Sequence, residues 1–264
     1  MSDNKNGKNL SYMLQHQELN KILDIINQVE NEADIDSVKR YLDQRIQDLK
    51  MELDDYDAGE QTEEYKILRE SKVLTENEII SLQLLEADFR ENYVAVRKEN
   101  ADFPKMYDDK KYLEYVWEDA IDDSALNCAI IRKVDNVFLG YCCIKNMNKE
   151  EWEIAIELFK RWQRQGYGYS AINLFMKHIS NVCGKNVFMT KVEADNVASQ
   201  ALMDKLGAVP DGVTEFLIHS EEELKKVEEE YAGCIDDRMI ELAKKFEVEP
   251  KKLLSHVLKY KIDV

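Results

Sequence analysis

Two glycines, Gly166 and Gly168, close the run Gln163-Arg164-Gln165-Gly166-Tyr167-Gly168 and open a long segment of helical apolar period. A glycine has no Cβ, so its backbone can take unusual dihedrals and approach a ligand closely. The first N–H groups of a helix have no partner within it, and the helix dipole puts partial positive charge at that end. A loop of this kind at a helix mouth is an anion site suited to a pyrophosphate. Arg161 and Arg164 add cations beside it, in a chain of 53 acidic and 36 basic residues with a formal net charge of −17. The spacing is neither the GxGxxG of dinucleotide folds nor the GxxxxGK[ST] of P-loops, and a GxG before a helix also occurs in plain tight turns.

Other chemistry-bearing residues form no competing set. His16, His178, His219 and His256 are scattered, and neither an HExxH nor a carboxylate cluster is present, so no metal is expected. Cys128, Cys142, Cys143, Cys183 and Cys234 are odd in number and lack ligand spacing. They read as free thiols of a reducing compartment. Tyr107, Tyr112, Tyr115 and Trp117 could line an acceptor pocket or serve as helix core.

The elements that must position the loop can be read around it. WEIAIELF, residues 152–159, reads as a strand. Its alternation puts Trp152, Ile154, Ile156 and Leu158 on one face, and Glu153, Ala155, Glu157 and Phe159 on the other. Residues 125–132 and 137–144 read as an antiparallel hairpin, and 79–85 as a further strand. Helices are expected at 88–100, 110–120, 168–181 and 197–206, with strands at 186–192 and 213–219. Two helices, 221–231 and 236–246, read as an insertion before a last strand at 256–264. Upstream, Leu19, Ile22, Leu23, Ile26 and Val29, then Val38, Leu42, Ile46, Leu49 and Leu53, make two amphipathic helices. That hairpin needs a surface to bury its stripe, which is the rest of the chain, a second copy or a protein partner. The expected division is an arm with an acidic linker at 1–65 and an α/β domain at 66–264, with the insertion at about 221–253.

The sequence resembles the GNAT N-acetyltransferase superfamily, nearest the ribosomal-protein-alanine type. Its motif Q/R-x-x-G-x-G/A matches Gln163–Gly168, and its preceding strand, often EIGYWI, matches Glu153–Leu158, here EIAIEL. Its downstream N-x-x-S and K-L-G-F match Asn196-Val197-Ala198-Ser199 and Lys205-Leu206-Gly207-Ala208. The resemblance runs from about Ile79 to His219. It implies a single mixed, mostly antiparallel sheet flanked by helices, with acetyl-CoA as acyl donor.

By resemblance, the loop and first helical turn, Gln163, Arg164, Gln165, Gly166, Tyr167, Gly168, Tyr169 and Ser170, hold the pyrophosphate. The backbone of Leu158, Phe159 and Lys160 lies along the pantetheine arm, and Asn196 and Ser199 meet the arm or its thiol end. Asn196 also fits as an N-cap for the helix that starts at Val197. An amine is mostly protonated at neutral pH, so direct attack on a thioester needs a base. Glu153 takes that place by its position in the EIGYWI strand, with Glu157 next on the same face. The tyrosine that reprotonates the leaving thiolate in many relatives counts to Met203, which cannot donate a proton. The implied activity is acetyl transfer to a primary amine: a small molecule, a polyamine or a protein N-terminus. The alternative is a catalytically weak acyl-CoA-binding protein with a regulatory or interaction role.

Charge narrows the partners. So acidic a chain has no footprint for nucleic acid or an anionic membrane and would attract a cationic acceptor. The opening MSDNKNGKNL is polar, and no apolar run approaches the ~20 residues of a membrane span, so a cytoplasmic protein is expected.

Overall fold

The computed structural model describes residues 63–101, 104–122, 125–145, 147, 149–215 and 221–264. The hairpin expected at 19–53, and any partner surface on it, lies outside them. The chain divides into two compact units, Met1–Glu60 with Lys110–Asp119 and Gln61–Asp109 with Ala120–Val264.

In chain order the described elements begin with α1 (Glu63–Leu68), β1 (Val73–Glu76), β2 (Ile80–Leu84), α2 (Arg90–Asn100) and α3 (Lys110–Ala120). Then come β3 (Leu126–Arg132), β4 (Val137–Lys145), β5 (Glu153–Leu158), α4 (Tyr167–Cys183), β6 (Val187–Val192) and α5 (Val197–Leu206). The last are β7 (Val209–Thr214), α6 (Glu221–Glu230), α7 (Asp237–Phe246) and β8 (Val257–Asp263). Apart from α3, which lies almost wholly in the first unit, all of these belong to the second.

Eight strands make one sheet in the order β1-β2-β3-β4-β5-β6-β8-β7. Every neighbouring pair is antiparallel except β5 and β6, which run parallel because the connection between them is a helical crossover, α4. This is the mixed, mostly antiparallel α/β sheet that the resemblance implies. The apolar stripe of α4, Ala171, Ile172, Phe175, Met176 and Ile179, is buried in the same core as Ile80, Leu82, Ile154 and Leu158. Gly184 ends α4 in the left-handed conformation, at φ 69°.

β5 is held differently along its two edges. β5 and β6 share one registered pair, Glu153 with Met189, beside a bond from the Met189 N–H to the Trp152 carbonyl at 2.9 Å. Beyond it the strands part, and Ala155, Ile156 and Glu157 are half-buried although Ile154 and Leu158 on either side are buried. On the other side, β4 presses unusually close to β5. A Cβ on Gly140 would stand 2.0 Å from the Glu157 carbonyl oxygen.

The elements depart from expectation at three points, the first being α1, a helix that spans the boundary expected at residue 65 between the acidic linker and the domain. β1 lies where no strand is anticipated; at four residues with a register shift it is too short to show a period. The strand expected at 213–219 is β7, which starts at Val209 and carries Pro210 and Gly212. These residues read as breakers, but β7 is an edge strand, where a missing N–H is tolerated.

The two helices α6 and α7 stand between β7 and β8 in the chain, and β8 enters the sheet between β6 and β7. A buried carboxylate fastens α6 to the turn before β8. Glu228 is only 3% exposed; its Oε1 accepts a hydrogen bond from Ser255 Oγ at 2.8 Å and pairs with Lys252 Nζ at 2.9 Å. Burial is the largest influence on this carboxyl and pushes its pKa up. The bonds from Lys252 and Ser255, with the charges of Lys252 and Lys251, outweigh it and hold the value below the ordinary one. A carboxyl so lowered stabilises the fold above its unfolded pKa and loses that contribution as pH falls through the folded value. Glu228→Gln is therefore expected to lose about 1–2 kcal/mol at pH 7 by urea unfolding, and the gap to wild type should close on acidification. A gap that does not change with pH would reduce Glu228 to a packing residue.

Candidate functional site

A cleft of about 830 Å³ opens along the edge of β5 that β6 leaves free. Ile156, Glu157 and Leu158 line it from the strand. Lys160, Gln163, Arg164 and Gly166 line it from the loop, and Gly168 and Tyr169 from the first turn of α4. Asn196, Ser199, Leu202 and Lys205 come from α5 and its cap.

The loop coils tightly at its end. Arg164 and Gly166 both take left-handed dihedrals, at φ 58° and 87°. Gly166 is the N-cap of α4 and has no side chain to bond the first-turn N–H groups. Two later helices treat that problem differently. Asn196 Oδ1 accepts the Ser199 N–H at 3.0 Å to cap α5, and Asp236 caps α7 through the Met239 N–H at 2.8 Å. α4 thus starts without the side-chain cap that α5 and α7 have, at a point where it borders the cleft.

The cations of the cleft complete this. Lys160, Arg164 and Lys205 line it, and none of them has a carboxylate partner among the described residues. Arg161 stands just outside, its guanidinium 4.6 Å from the Phe159 ring centroid. In a chain with so large an acidic excess, a group of cations left without carboxylates marks where an external anion fits. Uncapped N–H groups and free cations are the donor set that phosphate groups require, so the residues present fit the phosphates of coenzyme A.

The strand edge is organised for an extended ligand. The Phe159 N–H turns to β4 and donates to the Leu139 carbonyl at 3.0 Å, so the N–H and C=O of Leu158 face the cleft. The Leu158 carbonyl accepts from Asn100 Nδ2 and from Gln163 Nε2, each at 3.1 Å. The Lys160 N–H donates to the Glu99 carboxylate at 2.5 Å. The last turn of α2 therefore braces the end of β5.

Two carboxylates share the α2 face of β5 and differ in what they can do. Glu153 is buried, pairs through Oε2 with Lys191 at 3.2 Å and through Oε1 with Lys145 at 3.6 Å, and does not line the cleft. Glu157 lines the cleft. Its Oε1 takes Arg97 Nη1 at 2.6 Å and the Tyr141 hydroxyl at 2.9 Å, and its Oε2 has no hydrogen bond among the described residues. Burial, the largest influence, keeps the Tyr141 hydroxyl protonated far above the usual range, so it donates to Glu157 at neutral pH. Burial works against the charge on Arg97, but Tyr141 and Glu157 outweigh it and the guanidinium stays charged. Tyr93 packs on Tyr141 with ring centroids 4.7 Å apart.

Of the residues expected at the site, Leu158, Lys160, Gln163, Arg164, Gly166, Gly168, Tyr169, Asn196 and Ser199 come together around the cleft. Phe159 is buried against Phe138, and Gln165 turns back to the Arg161 carbonyl at 2.7 Å. The Tyr167 ring packs edge-on against Trp162, and the Ser170 hydroxyl accepts from Asn77 Nδ2 at 3.0 Å. Met203 is 4% exposed, lies in the core and is not among the residues that line the cleft. Sequence reasoning misses Asn100 and Lys205 as lining residues. Asn100 carries no local signal, whereas Lys205 stands in the K-L-G segment.

Residues 81–209 match the acetyltransferase (GNAT) domain family. The chain is similar in structure to RimL, the ribosomal L7/L12 alpha-N-protein acetyltransferase solved with coenzyme A, at 13% identity and a TM-score of 0.51, covering 73% of this chain and 98% of that one. It is similar to the microcin C7 self-immunity acetyltransferase MccE, solved with acetyl-CoA and AMP, at 15% identity and TM-score 0.50, covering 71% of this chain and 94% of that one. It is also similar to a spermidine N-acetyltransferase from Vibrio cholerae solved with CoA and spermine, at 15% identity and TM-score 0.48, covering 71% and 96%. No curated protein matches the sequence. Residues 81–209, just under half of the chain, thus carry an acetyltransferase (GNAT) domain, and the sheet is of the mixed kind that the resemblance implies. Among the described residues no helix is long and apolar enough to cross a membrane, and no group of three His, Cys, Asp or Glu could hold a metal.

Proposed function

We propose that the protein is an acetyl-CoA-dependent N-acetyltransferase acting on a primary amine. The observation that carries this is the uncapped start of α4 at the cleft, with Lys160 and Arg164 of the preceding loop free of carboxylate partners among the described residues. Acetyl-CoA would supply an acyl group already activated as a thioester. The first-turn N–H groups of α4 and the loop cations bind the phosphates. The cleft-facing N–H and C=O of Leu158 pair with the extended arm once Asn100 or Gln163 yields its bond. Asn196 and Ser199 stand at the opposite end of α5 from Lys205, where the thioester end belongs.

The base is better placed at Glu157 than at Glu153. Both oxygens of Glu153 are taken by lysines, while Glu157 lines the cleft with Oε2 open. Oε2 takes the acceptor's proton, directly or through one water. Met203 supplies no proton to the departing sulfur, and a thiol of ordinary pKa near ~8.5 leaves without one. The acceptors named for the similar structures, a ribosomal-protein N-terminus and spermidine, mark the range of amines to try.

Purified protein with a hundredfold excess of acetyl-CoA over its Kd should gain about 2.7 kcal/mol of stability, seen as a clear rise in Tm. With an amine panel it should release free thiol. No thermal shift at millimolar acetyl-CoA would overturn the donor. Saturable binding without thiol release on any amine would favour the second reading, a coenzyme-binding protein of weak activity, to which the core-facing Met203 points.

A further inference from the structure

Coenzyme A carries two separate anionic groups, the pyrophosphate and the 3′-phosphate of its ribose. The loop accounts for the first. Lys160 and Arg164 belong to the chain segment that leads into α4, so their charges surround the uncapped first turn. Lys205 does not belong to that segment. It lies in the last turn of α5, nine residues beyond Asn196, which at 1.5 Å per residue is about 13 Å along the wall of the same cleft. The two ends of that wall thus differ: Asn196 and Ser199 at one, against one exposed ammonium at the other.

That ammonium is held in place without being neutralised. Lys205 Nζ lies 4.5 Å from the centroid of the Tyr169 ring, which fixes its direction by a cation–π contact but leaves its charge uncompensated. Its neighbour Asp204, the nearest carboxylate in sequence, is taken by Lys245 at 2.6 Å. No other carboxylate pairs with Lys205 among the described residues.

Resting on the coenzyme reading above, we infer that Lys205 binds the 3′-phosphate and makes the site selective for coenzyme A over forms of the same arm that lack it. Tyr169 aims the ammonium, and the loop serves the pyrophosphate that both forms share.

Calorimetric titration at fixed ionic strength, with coenzyme A and with 3′-dephospho-coenzyme A, separates these roles. Wild type should prefer coenzyme A by about tenfold or more, the scale of one charge-assisted contact. Lys205→Met keeps an apolar stem over Tyr169. It should weaken coenzyme A by about tenfold and leave the dephospho form within about twofold, which also shows that the variant is folded. Arg164→Met should weaken both ligands by a similar factor. Equal affinity of wild type for the two ligands would overturn the inference, as would equal losses for both in Lys205→Met. Wild type that binds neither ligand would overturn the coenzyme reading itself.

Discussion

Glu157→Gln is expected to cut the rate of acetyl transfer by a factor of about 10²–10⁴, with coenzyme affinity held within about twofold. The substitution keeps the shape and most of the packing. It removes the one open carboxylate oxygen that borders the cleft, while Tyr141 and Arg97 remain in contact with the side chain. The coenzyme contacts run through Leu158, the loop and α5, none of which needs the charge of Glu157. Steady-state thiol release with a working amine, beside calorimetry of coenzyme binding, reads the two effects separately. Glu153→Gln is the discriminating partner. It leaves Lys145 and Lys191 near an uncharged amide, so it should weaken the β5–β6 junction and spare most of the turnover. If Glu153→Gln abolished transfer and Glu157→Gln did not, the assignment would reverse. Proton uptake would then run through the buried pair rather than the open edge.

The contrast between these two glutamates shows what the sequence can and cannot disclose. Their shared face was legible, because strand alternation alone separates Glu153 and Glu157 from Ile154 and Ile156. Which of them meets the cleft was not, because it depends on where β6 leaves β5 and on lysines from β4 and β6. The loop and α4 were legible for a local reason: glycine chemistry and a 3.6-residue period lie in one segment. The α6 and α7 helices were also legible, from propensity and from the Asp236 cap. The brace on the cleft came from far away. Arg97 and Glu157 are 60 residues apart in the chain, and Asn100 and Leu158 are 58 apart. No spacing rule spans such distances. β1 and the first half of β7 were hidden for the opposite reason, being too short or too rich in breakers to show a period.

Gly140 was equally hidden, and a single methyl added to it should be costly. A glycine inside a strand hints at a close backbone approach, but the partner is known only once β4 and β5 are paired. Gly140 stands opposite Leu158, next to the bulge that displaces Leu139. A Cβ there would lie 2.0 Å from the Glu157 oxygen, 2.7 Å from Leu158 Cα and 2.9 Å from the Glu157 carbonyl carbon. All three atoms are backbone, so no side chain can swing aside, and β5 itself must move. Gly140→Ala is therefore expected to lose about 3–5 kcal/mol in urea unfolding, beyond ordinary core overpacking. Gly168→Ala is the control. Its Cβ would meet the side chains of Leu202, Leu158 and Ile156 at 3.6–3.8 Å, which is ordinary contact, so its loss should stay within about 1 kcal/mol. The functional consequence follows from the same atoms. Glu157 and Leu158 carry the proposed base and the cleft-facing strand edge, so the Gly140→Ala protein that remains folded should bind acetyl-CoA poorly. An unchanged urea midpoint for Gly140→Ala would mean that β4 and β5 have room between them, and the tight seam behind the cleft would lose its role in holding Glu157 in place.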